Sequence, residues 1–139
     1  MRSAGAPESV AADLVQLFRR VVFNTAIGNC DDHLRNHGFL LTAQGWRLAP
    51  AFDVNPNIDK ADHVLNLDDV DNRPRLESVL STAEFYGLRT AQAQAVADEV
   101  LAVVDGWPQL AAQYGISQAD IALTASAFSA HAEFRQKRL

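Results

Sequence analysis

Apolar residues recur every three or four positions along the first part of the chain, between about residues 8 and 27. The members of this stripe are Val10, Leu14, Leu17, Phe18 and Val21. Such spacing predicts one helix with an apolar face. Gly28 is expected to end this helix, because glycine readily adopts the left-handed conformation that closes helices.

Two short apolar stretches follow, at residues 39–41 and 46–48, on either side of the run Thr42-Ala43-Gln44-Gly45. This arrangement predicts a β-hairpin whose second strand ends before Pro50. Residues 55–72 are mostly polar and acidic, and Val64, Leu65 and Leu67 form an apolar group within them. They predict a loop that contains one short extra strand.

The remainder of the chain has the spacing of helices. Residues 73–86 predict one helix that closes at Gly87, and Thr90 is expected to cap a second helix that reaches Asp105. A short helix is expected to begin near Pro108.

Ser117, with Asp120 three residues later, resembles a capping box and predicts the start of the last helix. The predicted fold class is therefore mainly α, with one small hairpin and a short extra strand.

Composition and charge argue against nucleic-acid binding, a membrane span and an intramolecular disulfide. The chain has 139 residues, 48% of them hydrophobic, which suits one domain over residues 7–139 behind a disordered N-terminus at residues 1–6. A net charge of -5 without a basic cluster argues against direct nucleic-acid binding. No run of 18 apolar residues is present, so no membrane span is expected. The one cysteine, Cys30, cannot form an intramolecular disulfide, which indicates a reducing compartment, with the cytoplasm as default.

Titratable and amide side chains are concentrated at residues 28–38. Phosphoryl transfer gives one reason for such a cluster, because it needs an Asp at the acceptor hydroxyl and an Asn five residues later on Mg²⁺. Asp31 and Asn36 have this spacing. The hairpin folds the chain back, so Asp53 is the expected second metal ligand. We therefore expect Asp31, Asn36 and Asp53 to meet around one Mg²⁺.

These residues carry a resemblance to a known family. The pattern over about residues 17–57 resembles the C-terminal lobe of HipA-like serine/threonine kinases, the toxins of bacterial toxin–antitoxin pairs. The matching motifs are Phe23-Asn24-x-x-Ile27-Gly28-Asn29-x-Asp31-x-His33-x-x-Asn36 and Leu48-Ala49-Pro50-Ala51-Phe52-Asp53-Val54. The resemblance implies a helical kinase lobe that uses ATP and Mg²⁺, with Asp31 as catalytic base and Asn36 and Asp53 as metal ligands. It also implies that Arg35 faces the transferred phosphoryl group.

One part of the kinase pattern is missing from the sequence. A kinase of this type needs an N-terminal lobe with a glycine- or serine-rich loop and a strand lysine over the phosphates. The seven glycines contain no Gly-x-Gly, and the only lysines are Lys60 and Lys137. The sequence therefore resembles a C-lobe alone, with weak ATP affinity and no activity of its own. Its expected partner is the missing N-lobe or an antitoxin-like protein.

Other interpretations of the same residues stay open. Asp31 and Asn36 could belong to a solvated turn rich in hydrogen-bonding side chains. Asp32 is expected to be a surface or capping carboxylate, and His33 to brace the loop. His33 and His37 could bind zinc, or could serve a metal-dependent phosphohydrolase together with Asp31 and Asp32. A last alternative is a non-catalytic interaction module.

Overall fold

The computed structural model describes residues 2–29, 34–58 and 75–137, and within them the fold is mainly helical with one two-stranded antiparallel hairpin. The fold class is as predicted. The extra strand predicted at residues 64–67 lies outside the described residues. In chain order the elements are α1 (Val10–Ala26), a 3₁₀ turn (Leu34–Asn36), β1 (Phe39–Thr42), β2 (Gly45–Leu48), α2 (Leu76–Ser81), a 3₁₀ turn (Ala83–Tyr86), α3 (Thr90–Val104), α4 (Trp107–Gln113), α5 (Gln118–Thr124), a 3₁₀ turn (Ala125–Phe128) and α6 (Ser129–Lys137).

Helix α1 is the element around which the others pack. Phe18, Val22 and Ala26, four residues apart, are fully buried. The helix contacts α2, α3, α6 and β2. The Phe18 ring lies 5.2 Å from that of Tyr86, tilted by 60°. Burying side chains as large as Phe18 and Val22 contributes about 1.5–3 kcal/mol each, so this face of α1 accounts for much of the core.

The end of α1 requires a glycine for two reasons. Gly28 has φ +68°, the left-handed conformation expected at a helix end. A Cβ atom at this position would also lie 2.1 Å from the carbonyl oxygen of Ala127. The Asn29 backbone N–H then donates to the carbonyl of Asn24 at 2.8 Å, which closes the last turn. The helix therefore ends where the sequence predicted, and its end is packed against the 3₁₀ turn before α6.

The predicted helix over residues 73–86 is divided in the structure. Helix α2 ends at Ser81, and a 3₁₀ turn continues to Tyr86 before Gly87 closes it with φ +73°. The Thr82 hydroxyl donates to the carbonyl of Val79 at 2.7 Å. Side-chain hydroxyls that bond to the preceding turn compete with the regular helical pattern, which accounts for the division.

The expected cap at Thr90 is wrong by one residue. Thr90 is the first residue of α3, and Arg89 occupies the N-cap position in an extended conformation. The backbone N–H of Arg89 donates to Oε1 of Gln92 at 3.0 Å. The Gln92 side chain, at the third helical position, therefore accepts a hydrogen bond from a backbone N–H at the start of α3.

The C-terminal helices show one confirmed cap. Ser117 precedes α5, and its hydroxyl accepts a hydrogen bond from the Asp120 N–H at 3.1 Å, as the capping-box pattern predicts. The last helix is divided into α5, a 3₁₀ turn and α6. Trp107 stacks on Phe128 with ring centres 4.2 Å apart, so the start of α4 is joined to this turn. No helix among the described residues is long and apolar enough to cross a membrane.

Residues 4–6, which we expected to be disordered, pair with the hairpin instead. The Ala6 N–H donates to the Trp46 carbonyl, and the Trp46 N–H donates to the Ala4 carbonyl, both at 3.0 Å. Gly5 and Trp46 form an isolated parallel bridge, and Ala6 is buried. The free edge of β2 offers backbone groups that need partners, and the N-terminal segment supplies them.

We expect Gly28→Ala to lower the free energy of unfolding by about 3 kcal/mol. The substitution has two costs, because alanine is strained at positive φ and its Cβ would clash with the Ala127 backbone. Gly115→Ala is the matched control. Gly115 also has positive φ, +82°, but nothing lies within 4 Å of an added Cβ, so its loss should be about 1 kcal/mol. Urea unfolding measures both, and equal losses would show that the contact with Ala127 is unimportant.

Candidate active site

The side of α1 that faces away from the helical core carries polar residues. Asp13, Arg20 and Asn24 are spaced by seven and four residues, so they lie on one stripe of the helix. At 3.6 residues per turn this stripe is opposite Phe18 and Val22. Asp13 and Asn24 are nevertheless buried, each with 6% of its surface exposed. A second layer must therefore cover this side of α1.

Asp13 binds that second layer through the hairpin. Its carboxylate accepts hydrogen bonds from Nε of Arg47 at 2.9 Å, from Nη2 of Arg47 at 3.1 Å and from the Leu48 N–H at 3.1 Å. The hydrogen bond from Arg47 lowers the pKa of Asp13 from its usual value, although burial acts in the opposite direction. The bidentate contact and the backbone contact together fix β2 on α1.

Arg20 holds the chain where it leaves the hairpin. Its Nη2 donates to the carbonyl oxygen of Ala49. The other two guanidinium nitrogens, Nε and Nη1, are buried without a hydrogen-bond partner in the described part of the chain. Burial lowers the pKa of Arg20, and the charge of Asp13 partly offsets this effect. Arg20 thus anchors the backbone four residues before Asp53.

Asp53 has a backbone conformation that few residues adopt. Its φ is +55°, and among the described residues it is the only non-glycine with positive φ. Aspartate is one of the residues that tolerate this conformation best. The exposed carboxylate accepts a hydrogen bond from Nδ2 of Asn55 at 3.2 Å. Uncommon backbone conformations are concentrated at functional sites, which agrees with the role expected for Asp53.

The segment after Asp53 is attached to the end of α1. Nδ2 of Asn29 donates to the Asp53 carbonyl and to Oδ1 of Asn24, both at 3.3 Å. The Asn57 N–H donates to the Gly28 carbonyl at 3.1 Å. Asn29 is buried, with 6% of its surface exposed. These contacts join residues 53–57 to the end of α1.

Asn36 is the last residue of the 3₁₀ turn Leu34–Asn36 and is 9% exposed. It lines a cavity of about 470 Å³ together with Arg20 and Asn24 of α1 and with Phe52 and Val54. Phe52 and Val54 flank Asp53, so the chain on both sides of Asp53 reaches the cavity that Asn36 lines. That the Asn36 and Asp53 side chains meet at one Mg²⁺ stays a prediction.

Several residues of the predicted site cannot be placed. Asp31, the expected base, and its neighbours Cys30, Asp32 and His33 lie outside the described residues. Arg35, expected to face the phosphoryl group, is exposed on the 3₁₀ turn.

The donor chemistry of Asn36 and Asp53 suits magnesium. Mg²⁺ prefers oxygen ligands and is usually held by one or two protein groups, with water and phosphate oxygens completing its shell. An amide oxygen and an exposed carboxylate fit that pattern. Within residues 2–29, 34–58 and 75–137 no three His, Cys, Asp or Glu side chains form a group that could hold a metal.

The fold and the site together define a class of protein. It is a mainly helical domain in which a β-hairpin leads to an aspartate with positive φ. Residues 1–107 match the family model of the HipA-like C-terminal domain. Because the match covers 107 of the 139 residues, the chain belongs to the family of HipA-like C-terminal domains. No curated protein shows significant similarity to the chain.

Sequence reasoning gave no role to Asp13 or Arg20, and it included Asn29 only as part of a motif. The available signal was their position. Asp13 and Arg20 are charged residues at seven-residue spacing on the side of the helix opposite Phe18 and Val22. A charged stripe of this kind indicates either solvent or a second polar layer, and the pattern alone does not distinguish them.

We expect Asp13→Asn to lower the free energy of unfolding by about 1–3 kcal/mol at pH 7, because it weakens the bond to Arg47. The pKa of Asp13 is lowered in the folded state, so its contribution is complete above the usual aspartate pKa of about 3.9. It is lost as the pH falls through the lowered value. The wild type and the variant should therefore converge as the pH falls below about 4, as measured by urea unfolding.

Glu77→Gln is the control for this measurement. Glu77 pairs with Lys137 at the surface, with both side chains about half exposed, so its substitution should change stability little. A loss for Asp13→Asn that is the same at pH 7 and pH 3 would contradict an anchor that depends on the carboxylate charge.

Proposed function

We propose that this chain is the catalytic-loop lobe of a HipA-like protein kinase that transfers the γ-phosphate of ATP to a serine or threonine hydroxyl. The observation that carries the proposal is the shared cavity: Asn36 lines it together with the two residues that flank Asp53. Sixteen residues separate Asn36 from Phe52 (52 − 36 = 16), and the hairpin returns the chain between them. Family membership supports the same function.

In this proposal Asp31 orients the acceptor hydroxyl and accepts its proton. Asn36 and Asp53 would hold Mg²⁺, which would neutralise charge on the phosphates of ATP. Arg35, an exposed cation on the same 3₁₀ turn as Asn36, is placed to attract the phosphates by charge. Positioning and electrostatics account for most of the rate in such reactions.

Two features of the described residues suit this division of roles. The Asn36 side chain is buried, so little rotational freedom is left to lose when it binds a ligand. The Asp53 carboxylate is exposed and accepts a hydrogen bond from the amide of Asn55, so it is accessible to a cation.

We propose that the contacts to the phosphates come from a second lobe. The sequence contains no Gly-x-Gly, and neither Lys60 nor Lys137 lies in a predicted strand next to a phosphate loop. A kinase needs both features to hold ATP. The activity should therefore be measured on a complete protein that includes an N-terminal lobe.

A second candidate function is a non-catalytic module that binds an antitoxin-like protein or a separate N-lobe. The observation that favours it is the hairpin face formed by Phe39, Leu41 and Trp46. Leu41 pairs with Trp46 across the hairpin, and Phe39 is on the same face. These residues are 41%, 68% and 41% exposed. Contiguous exposed apolar residues of this kind commonly mark protein interfaces.

In a complete protein we expect Asp31→Asn, Asn36→Ala and Asp53→Asn each to slow phosphoryl transfer about 100-fold or more, with little change in Tm, because these residues serve chemistry rather than packing. Asp32→Ala is the control and should be nearly silent. His33→Ala should lower Tm, with activity lost only in proportion. Transfer of labelled phosphate and thermal unfolding measure all five.

Three outcomes would overturn parts of this account. An active Asp31→Asn beside an inactive Asp32→Ala would show that the base was assigned to the wrong carboxylate. Five variants as active as the wild type would contradict the kinase site. If the complete protein transfers no phosphate, and Leu41→Ser abolishes binding of the second lobe, the interaction module is the better description.

A further inference from the structure

The side chain of Asn29 makes two hydrogen bonds that no role in phosphoryl transfer explains directly. Its Nδ2 lies 3.3 Å from the Asp53 carbonyl oxygen and 3.3 Å from Oδ1 of Asn24. Asn29 and Asn24 are both 6% exposed. The Asn29 amide is therefore enclosed between the end of α1 and the backbone of the candidate metal ligand.

The hydrogen-bonding chemistry of the Asn29 amide, the Asn24 amide and the Asp53 carbonyl determines which atoms are donors and which are acceptors. A backbone carbonyl oxygen only accepts hydrogen bonds, so Asn29 must present its nitrogen to Asp53. The same NH₂ group has two hydrogens and can serve a second acceptor, which Asn24 provides as its amide oxygen. A carboxylate at position 29 would instead place oxygen against two acceptors. Asparagine is thus required at position 29 for its donor, while position 24 needs only an acceptor.

The acceptor at Asp53 belongs to a residue in an uncommon conformation. A non-glycine residue at φ +55° is less stable than one in a common region and keeps that conformation only where its surroundings favour it. Among the described residues, Asn29 donates to the Asp53 carbonyl. Four residues after Asp53, the Asn57 N–H donates to the Gly28 carbonyl at 3.1 Å.

We propose that Asn29 is a positioning residue that fixes the backbone of Asp53 and thereby the direction of its carboxylate. The chemical meaning of this role rests on the proposed function, since Asp53 is there a metal ligand. The structural part of the inference, that the Asn29 donor holds residues 53–57 on the end of α1, stands on the contacts alone.

The exchange rate of the Asn57 amide tests the structural part. This N–H is bonded to Gly28, so its exchange with solvent reports whether residues 53–57 are attached to α1. NMR compares it with the amide of Val22, which is fully buried in α1 and reports on the stability of the helix. The ratio of the two rates separates local detachment from general destabilisation.

Asn29→Asp and Asn24→Asp form a matched pair, because each places one carboxylate at an equally buried position. We expect the Asn57 to Val22 ratio to rise about tenfold in Asn29→Asp, which loses the donor. In Asn24→Asp, which keeps an acceptor, the ratio should stay near that of the wild type. An unchanged ratio in Asn29→Asp, or an equal rise in both variants, would overturn the proposal. If Asn29→Asp does not fold, Asn29→Ala is compared in the same way.

The functional part is tested in the complete kinase by titrating Mg²⁺. Asn29→Ala should raise the Mg²⁺ concentration for half-maximal rate about tenfold, and excess Mg²⁺ should restore most of the rate, because the ligands remain but are less well held. A loss of rate that Mg²⁺ does not restore would contradict positioning through Asp53. If the wild type transfers no phosphate, the proposed function fails, whereas the exchange result still decides the structural part.

Discussion

The structure depends on a helix whose two sides are used for different purposes. One side of α1 buries Phe18 and Val22 against the other helices. The opposite side presents Asp13 and Arg20 to the hairpin, where Asp13 binds Arg47 and the Leu48 N–H, and Arg20 binds the Ala49 carbonyl. Because the side with Phe18 and Val22 is buried in the core, the side with Asp13 and Arg20 can hold the segment at residues 47–49, which precedes Asp53. The Nε and Nη1 atoms of Arg20, buried without a hydrogen-bond partner in the described part of the chain, carry a cost in stability, which indicates that holding this backbone is important.

The parts of the fold that could be predicted are those with local signals. The apolar stripe predicted α1, and its end at Gly28 was confirmed by a positive φ. The hairpin and the Ser117 cap were also confirmed. The pairing of residues 4–6 with Trp46 was missed, because it uses backbone groups and leaves no pattern of side chains. The division of the helix at Thr82 was missed because serine and threonine hydroxyls inside a helical pattern give only a weak signal.

In the candidate site, too, the residues with a sequence signal were predicted and those that act through tertiary contacts were not. Spacing and family resemblance selected Asn36 and Asp53 from the sequence, and their role as metal ligands stays a prediction. The residues that hold the hairpin and the Asp53 backbone were not predicted, since each binds at least one backbone atom: the Leu48 N–H for Asp13, the Ala49 carbonyl for Arg20 and the Asp53 carbonyl for Asn29. A backbone atom has no signature in the sequence. Its position is known only when the tertiary structure is known, so residues that act through backbone contacts are harder to predict than residues that form a sequence motif.

The central claim is that α1 and the hairpin bring Asp53 and Asn36 to one cation. A crystal structure of the protein with Mn²⁺ in place of Mg²⁺ tests it most directly, because the anomalous signal of manganese locates the ion. The account predicts one ion bound by both side chains, at about 2.1 Å from each oxygen, with the two oxygens within about 6 Å of each other. Side-chain oxygens of Asn36 and Asp53 that lie more than about 12 Å apart in an ordered site would contradict it.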